Sequence, residues 1–252
     1  MILLNEKMLS PIRTAVITAA LISLLTISAV AGQHYDVAGA DTYRVGTALG
    51  TTRITYQGEE SLSVIADRSG HRYVADVDYT RADDTGSAEV HARFVQELLR
   101  DGTFEDRNDE DPDFLTILNQ PFAIQLDTTT LRDLEHLHGM VPFEAESPLG
   151  GAKLSGYLRS APSGEVNGRH AVGVRFVATG PMSGTLPEHP QVVLSGTMRM
   201  NGTAYYAASG ALLLELDATL TIDGRLRSGA NMVPVRIVYH RAIRAGDNDS
   251  SQ

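Results

Sequence analysis

From Ala211 to Asp223 the chain alternates almost without exception. Leu212, Leu214, Leu216, Ala218, Leu220 and Ile222 fall on one side; Leu213, Glu215, Asp217, Thr219, Thr221 and Asp223 fall on the other. Successive side chains of a strand point to opposite faces. The run therefore predicts one long strand with an apolar face and a mostly acidic, wet face, ended by Gly224. Such a strand needs paired edges and a cover for its apolar side, so it constrains the whole domain.

The same period recurs along the chain. Val172, Val174 and Phe176 alternate with Gly173 and Arg175, and Val192, Leu194, Met198 and Met200 with Ser195, Thr197 and Arg199. Val233, Val235, Ile237 and Tyr239 form another set, preceded by Tyr43/Val45, Ile54/Tyr56, Leu62/Val64, Tyr73/Ala75/Val77/Tyr79 and Phe122/Ile124/Leu126. Turn chemistry separates them at 67–70, Ser163-Gly164, Asn167-Gly168, Asn201-Gly202, Ser209-Gly210 and Asp223-Gly224. Short turns join antiparallel neighbours, because a parallel pair needs a long crossover. About ten strands in a meander are expected.

One segment carries a helical period instead. Val90, Phe94, Val95, Leu98 and Leu99 lie on one helix face, with Ser87 as cap and Gly102 as stop, which predicts an amphipathic helix over Ser87–Arg100. A weaker helical turn covers Leu131, Leu134 and Leu137, ended by Gly139. Residues 101–113 hold seven carboxylates against Arg107 and read as a solvated loop. The expected organisation is a leader over 1–31, one β-rich domain over 32–245 with the helix and acidic loop at about 87–113, and a polar tail over 246–252.

The leader rests on three features. Lys7 and Arg13 precede an uncharged, mostly apolar run from Ala15 to Ala31, which closes on Ala29-Val30-Ala31. Positive start, apolar centre and small residues three apart are the parts of a secretory signal peptide. Cleavage is expected after Ala31, with Met1 or Met8 as the start. The alternative, an uncleaved anchor, needs roughly 20 apolar residues to span a bilayer; this run has 17, diluted by Thr18, Ser23, Thr26 and Ser28. No later stretch approaches spanning length, so no integral membrane domain is expected after cleavage. An exported, periplasmic or extracellular protein follows.

The mature chain would carry 19 basic and 30 acidic side chains. Nucleic acid and anionic headgroups would be repelled, so no nucleic-acid partner is expected. There is no cysteine. No disulfide can staple the fold, no thiolate can attack or bind metal, and no lipid can be attached to a cysteine behind the leader. An exported chain without cysteine, with Lys153 its only lysine after the leader, points to a bacterial source.

A ten-stranded sheet with one apolar face curls, and a helix can lie across its concave side. The expected fold is mainly β: a large antiparallel curved sheet, a half-barrel, with one amphipathic helix packed on its concave face. In the order of leader, early hairpins, helix at Ser87–Arg100 and long strands at Leu154–Arg159, His170–Thr179, Val192–Met200 and Ala211–Asp223, the chain resembles the bacterial lipoprotein-carrier-like half-barrel proteins of the cell envelope. The resemblance is of architecture and carries over no residue. It implies a cavity between sheet and helix that holds acyl chains, lined by Val90, Phe94, Leu98, Met198, Met200, Leu214, Leu216, Leu220 and Ile222. The competing expectation is that these residues fill a dry core. The functional expectation is a non-enzymatic protein binding a lipid or other apolar small molecule; a structural or interaction protein of the envelope is the alternative and a hydrolase the lesser one.

No motif adds a catalytic residue, a metal site or a cofactor. His136 and His138, near Asp133 and Glu135, would suit zinc, but residues two apart do not share a helix face. The segment from Asp106 to Glu110 spaces oxygen ligands as calcium loops do, yet Asp111 stands where such a loop needs glycine and Ile117 where it needs an acid. No nucleophile elbow of the form G-x-S-x-G exists: Ser183 lies in a turn and Ser195 in a strand. A hydrolase pairing one of them with His170, His189 or His240 would require them to converge in space.

Overall fold

The computed structural model describes residues 29–46, 50–66, 70–99, 104–109, 128–137, 140–146, 153–186, 189–208 and 213–246. Among these residues, eleven strands form one antiparallel sheet. They are β1 (Ala29–Val45), β2 (Thr51–Ala66), β3 (Gly70–Asp83), β4 (Gly86–Leu99), β5 (Phe104–Asp109), β6 (Met140–Glu146), β7 (Lys153–Val166), β8 (Arg169–Leu186), β9 (His189–Ala207), β10 (Leu213–Ser228) and β11 (Asn231–Ala245). The single helix among the described residues, α1, spans Thr128–Leu137. The strand order is β5-β4-β3-β2-β1-β11-β10-β9-β8-β7-β6. The sheet is open, with β5 and β6 at opposite edges.

That order describes two meanders, β1 to β5 and β6 to β11, joined where the first strand pairs with the last. Tyr35 opposes Ala245, Gly39 opposes Arg241 and Val45 opposes Val235. Within the meanders, tight turns set the registers. Asn167 and Gly168, at φ 50 and 69, make a two-residue turn between Val166 and Arg169. Both positions lie in the left-handed region, which asparagine and glycine tolerate best. Asp83 and Gly86 close the β3–β4 hairpin. There the Asp83 carboxylate accepts from the Thr85 N–H and hydroxyl, which hold its pKa below the usual value.

The expected helix at Ser87–Arg100 is strand β4. Val90 and Phe94 satisfy both a helical period and a strand period; Ala92 decides between them. Ala92 is buried between His91 and Arg93, both exposed, so Val90, Ala92 and Phe94 form one face of a strand. Alanine is too small to mark that face in a sequence scan, and a pairing partner with register fixed by a two-residue turn overrides local helix propensity. The acidic loop is corrected in part: Phe104–Asp109 pairs with β4 as an edge strand, where charge protects an open edge. The rest of 101–113 and the strand expected at Phe122–Leu126 lie outside the described residues.

The weaker helical turn is the real helix. Leu131 and Leu134 are buried in the common core, and α1 contacts β7 and β8. Three expected turns are strand interior. Asn201-Gly202 lies within β9, Asp223-Gly224 within β10, and Ser163-Gly164 beside an irregularity in β7. Gly202 and Gly224 mark close approach rather than reversal, while Gly164 sits in open space at the irregularity. A Cβ on Gly202 would collide with the Asp217 carbonyl and the Phe176 ring, and Gly196 and Gly224 face each other across β9 and β10.

Candidate functional site

One face of the sheet is apolar across all the strands whose side chains are described. Val77 and Phe94 lie on it in the first meander, Val37 and Ile243 at the junction, and Leu220, Met198 and Phe176 in the second. Each is almost fully removed from solvent. The opposite face carries the charges, paired across strands: Arg236 with Asp223 at 3.3 Å, Arg93 with Asp76 at 3.8 Å and Lys153 with Glu144 at 3.2 Å. Exposed pairs of this kind contribute little to stability.

The apolar face has a polar centre at the β1–β11 junction. Asp41 and Arg241 are 0 % and 1 % exposed. The Arg241 Nη1 donates to Asp41 Oδ1 at 2.5 Å and to the His240 carbonyl at 2.8 Å; Nη2 lies 3.4 Å from Asp41 Oδ2. The hydroxyls of Tyr56 and Tyr43 donate to Asp41 Oδ2 at 2.9 and 3.1 Å. The guanidinium carbon lies 4.9 Å from the Tyr56 ring centre and 5.6 Å from that of Tyr239. Burial opposes the Arg241 charge, but hydrogen bonding and attraction from Asp41 outweigh it and hold its pKa above the ordinary arginine value. Burial, then the Asp41 charge, pushes the Tyr239 phenol up to about 12. Gly39 makes the arrangement possible: a Cβ there would stand 3.1 Å from both Cδ and Nη1 of Arg241.

A second polar cluster lies at one end of the same face. The Tyr35 hydroxyl donates to the Leu213 carbonyl at 3.1 Å, spanning β11 to reach β10. Asn167, at the tip of the β7–β8 hairpin, donates to the Ala245 carbonyl at 2.5 Å, so the tip folds over the end of the sheet. Burial raises the Tyr206 pKa, and burial with the nearby Glu60 raises that of Tyr35.

The residues expected to line a ligand cavity fall on the apolar face wherever their side chains are described. Phe94, Met198, Met200, Leu214, Leu216, Leu220 and Ile222 are buried, and Val90 packs partly buried against them. Leu98 is placed by its backbone in β4 opposite His71, and its side chain lies outside the described set. Leu214 sits at a register shift in β10, so that Leu213 and Leu214 are both buried despite being neighbours. Phe94 on β4 and Met198 on β9 are separated by five intervening strands, so the nine residues form no single compact cluster. A concavity of about 640 Å³ lies elsewhere, across β2, β1, β11 and β10. Its lining includes Asp36, Gln57, Glu59 and Asp217 beside the small Ala38 and Ala242, and of the nine residues only Leu216 reaches it.

The described histidines do not converge. His34 meets Ser61 at 2.9 Å, His91 meets Asp78 at 2.7 Å, His240 meets Asp217 at 3.3 Å and His170 meets Glu135 at 3.6 Å. Each pair is a separate surface contact. His170 and His240 thus have carboxylate partners rather than Ser183 or Ser195, while the side chain of His189 lies outside the described set. Among the described residues, no three metal-ligating side chains cluster. His136 is exposed on α1, and His138 and most of the acidic segment lie outside the described residues. No described helix is long and apolar enough to cross a membrane.

Sequence reasoning set Tyr43, Tyr56 and Tyr239 in alternating strand faces but missed Asp41 and Arg241 between them. The signal was present: Asp41 and Arg241 occupy inward positions of alternating strands, Val37-x-Gly39-x-Asp41-x-Tyr43 and Tyr239-x-Arg241-x-Ile243. Opposite charges at inward positions of the first and last strands point to a buried cross-strand pair.

No protein-family model matches the sequence, and no curated protein matches it. Among the solved structures that are similar in part, two are informative about the extent of the match. One, from a study of lipid–protein interactions in lipovitellin, is 12% identical with a TM-score of 0.38, covering 88% of this chain and 26% of that one. The chain thus spans about a quarter of the lipovitellin chain it matches. The other is a DUF1329 family protein from Desulfovibrio piger, 10% identical with a TM-score of 0.16, covering 88% of each chain.

Proposed function

We propose that this chain is an exported, non-enzymatic protein of the bacterial envelope that holds a lipid or other apolar ligand on the apolar face of its sheet. The observation that carries this reading is the width of that apolar face, whose buried residues run through both meanders, far beyond the two strands, β7 and β8, that α1 chiefly contacts. Met182, Met198 and Met200 lie on the face. Flexible thioethers fill irregular space and adapt to ligands of varied shape. The charge buried on this face is confined to Asp41 paired with Arg241 at the centre and Glu60 near Tyr35, and most of the face between them is apolar. Export rests on the leader. The paired register of β1 and β2 breaks between Val30 and Gln33, so cleavage after Ala31 leaves the continuous ladder from Gln33 intact.

Native mass spectrometry of the purified mature protein, followed by organic extraction, tests the reading, together with uptake of a fluorescent fatty acid. Co-purifying lipid or saturable uptake is expected. A protein free of lipid that takes up no fatty acid refutes it. A second reading, a scaffold with a dry core, is favoured by the near-zero exposure of Met198, Leu214 and Ile222. Met198→Ala distinguishes the two: a ligand face changes its preferred acyl length, whereas a dry core only loses stability.

A further inference from the structure

We infer that the buried Asp41–Arg241 pair is a register lock that aligns the first strand with the last and so fixes how the two meanders join. The β1–β11 pairing differs from every other pairing in the sheet. Its partners are 200 residues apart at Asp41 and Arg241, and no turn connects them. Hairpin registers are set by their turns; this one must be set by side chains. The central residues give packing little to grip. Ala38, Gly39 and Ala40 of β1 oppose Ala242, Arg241 and His240 of β11. Small-residue strands of this kind are prone to slip.

A slip that keeps the apolar face inward must move β11 by two residues. In the observed register Arg241 faces Gly39, whose missing side chain admits the arginine stem. Slipped one way, Arg241 would face Val37; slipped the other way, it would face Asp41 itself. Either slip removes the vacancy and breaks the diagonal geometry in which Asp41 accepts from Arg241, Tyr43 and Tyr56 together. A displaced guanidinium or carboxylate would then be buried without its full set of partners. Buried polar groups that select one alignment at some cost in stability are known from helical assemblies, and the same physics applies to a strand junction.

The absence of cysteine allows a direct test in the full chain. Thr42 opposes Val238 in the observed register, on the outer face. The variant Thr42→Cys/Val238→Cys reports the native register by disulfide formation; Thr42→Cys/His240→Cys reports a two-residue slip. Cross-strand neighbours in register fall within disulfide reach and those displaced by two residues fall outside it. With the lock intact, the native pair is expected to oxidise in preference to the slipped pair by about tenfold or more. In the background Asp41→Leu/Arg241→Met, which removes both charges, the two pairs are expected to form to similar extents. If that background does not fold, Asp41→Asn, which keeps the shape and one acceptor, carries the same cysteine pairs. Exclusive native cross-linking in a folded background without the charge pair overturns the inference. Failure of both backgrounds to fold also overturns it, since the pair would then be a requirement for folding rather than a selector of register.

Discussion

Asp41→Ala removes the acceptor at the polar centre and leaves the Arg241 guanidinium in place. That guanidinium is 1 % exposed and is held by Asp41 through two nitrogens. The hydroxyls of Tyr43 and Tyr56 lose their acceptor in the same step. Breaking a buried ion pair from one side costs about 3–5 kcal/mol, because the remaining charge keeps its desolvation penalty and loses its compensation. Hydrogen bonds to a charged group contribute about 1.5–3 kcal/mol each, but they are part of the same loss and are not added again. The expected destabilisation is therefore about 4 kcal/mol, against a typical total of about 5–15 kcal/mol. Urea unfolding of the mature protein, followed by far-UV circular dichroism, reads this as a lower midpoint at unchanged slope. The double variant Asp41→Leu/Arg241→Met removes both charges together and is expected to recover most of the loss, so the cycle is strongly non-additive. A single-variant cost below about 1 kcal/mol would refute the account of Asp41 as the essential partner of a buried charge.

Three further outcomes follow from the same contacts. Gly202→Ala places a Cβ against the Asp217 carbonyl and the Phe176 ring, whereas Gly164→Ala meets nothing within 4 Å. The first is expected to lose about 1–3 kcal/mol in thermal unfolding and the second to stay near neutral; equal effects would contradict the close approach at Gly202. Tyr35→Phe deletes the hydrogen bond to the Leu213 carbonyl and is expected to cost about 1 kcal/mol in the same assay. Tyr35, Tyr43, Tyr206 and Tyr239 have folded-state pKa values raised above 10, to about 12 for Tyr239, chiefly by burial. A neutral phenol stabilised in the folded state contributes fully below the unfolded value of 10, and that contribution is lost as pH rises through the folded values. Stability should therefore fall between pH 10 and about 12, with the tyrosinate absorbance of these residues appearing only as the protein unfolds; titration of all the tyrosines with a midpoint near pH 10 and without unfolding would disprove their burial.

The strands of the second meander were legible in the sequence because their apolar residues are large and regularly spaced. Leu216, Leu220 and Ile222 read as one face and are one face. The first meander was harder. Its inward positions hold Ala75, Ala92 and Gly58, which carry little periodic signal. The helix expected over Ser87–Arg100 came from that gap. Glycines misled in the other direction: Gly202 and Gly224 look like turns one residue at a time, and only the neighbouring strand reveals that they admit its backbone.

The sequence by itself determined that this chain forms long antiparallel strands with one apolar face, because alternation is a local property that each strand carries alone. Seven of the nine residues expected on that face are buried in the structure, Phe94 on a strand rather than on the expected helix. The tertiary structure alone decided which strands meet. The pairing of β1 with β11 brings together residues 200 positions apart, and the pair Asp41 and Arg241 exists only in that pairing. No local rule ties the first strand to the last. Long-range pairing is settled by the free energy of the whole sheet, in which a buried charge must find its partner and an arginine stem must find a glycine opposite.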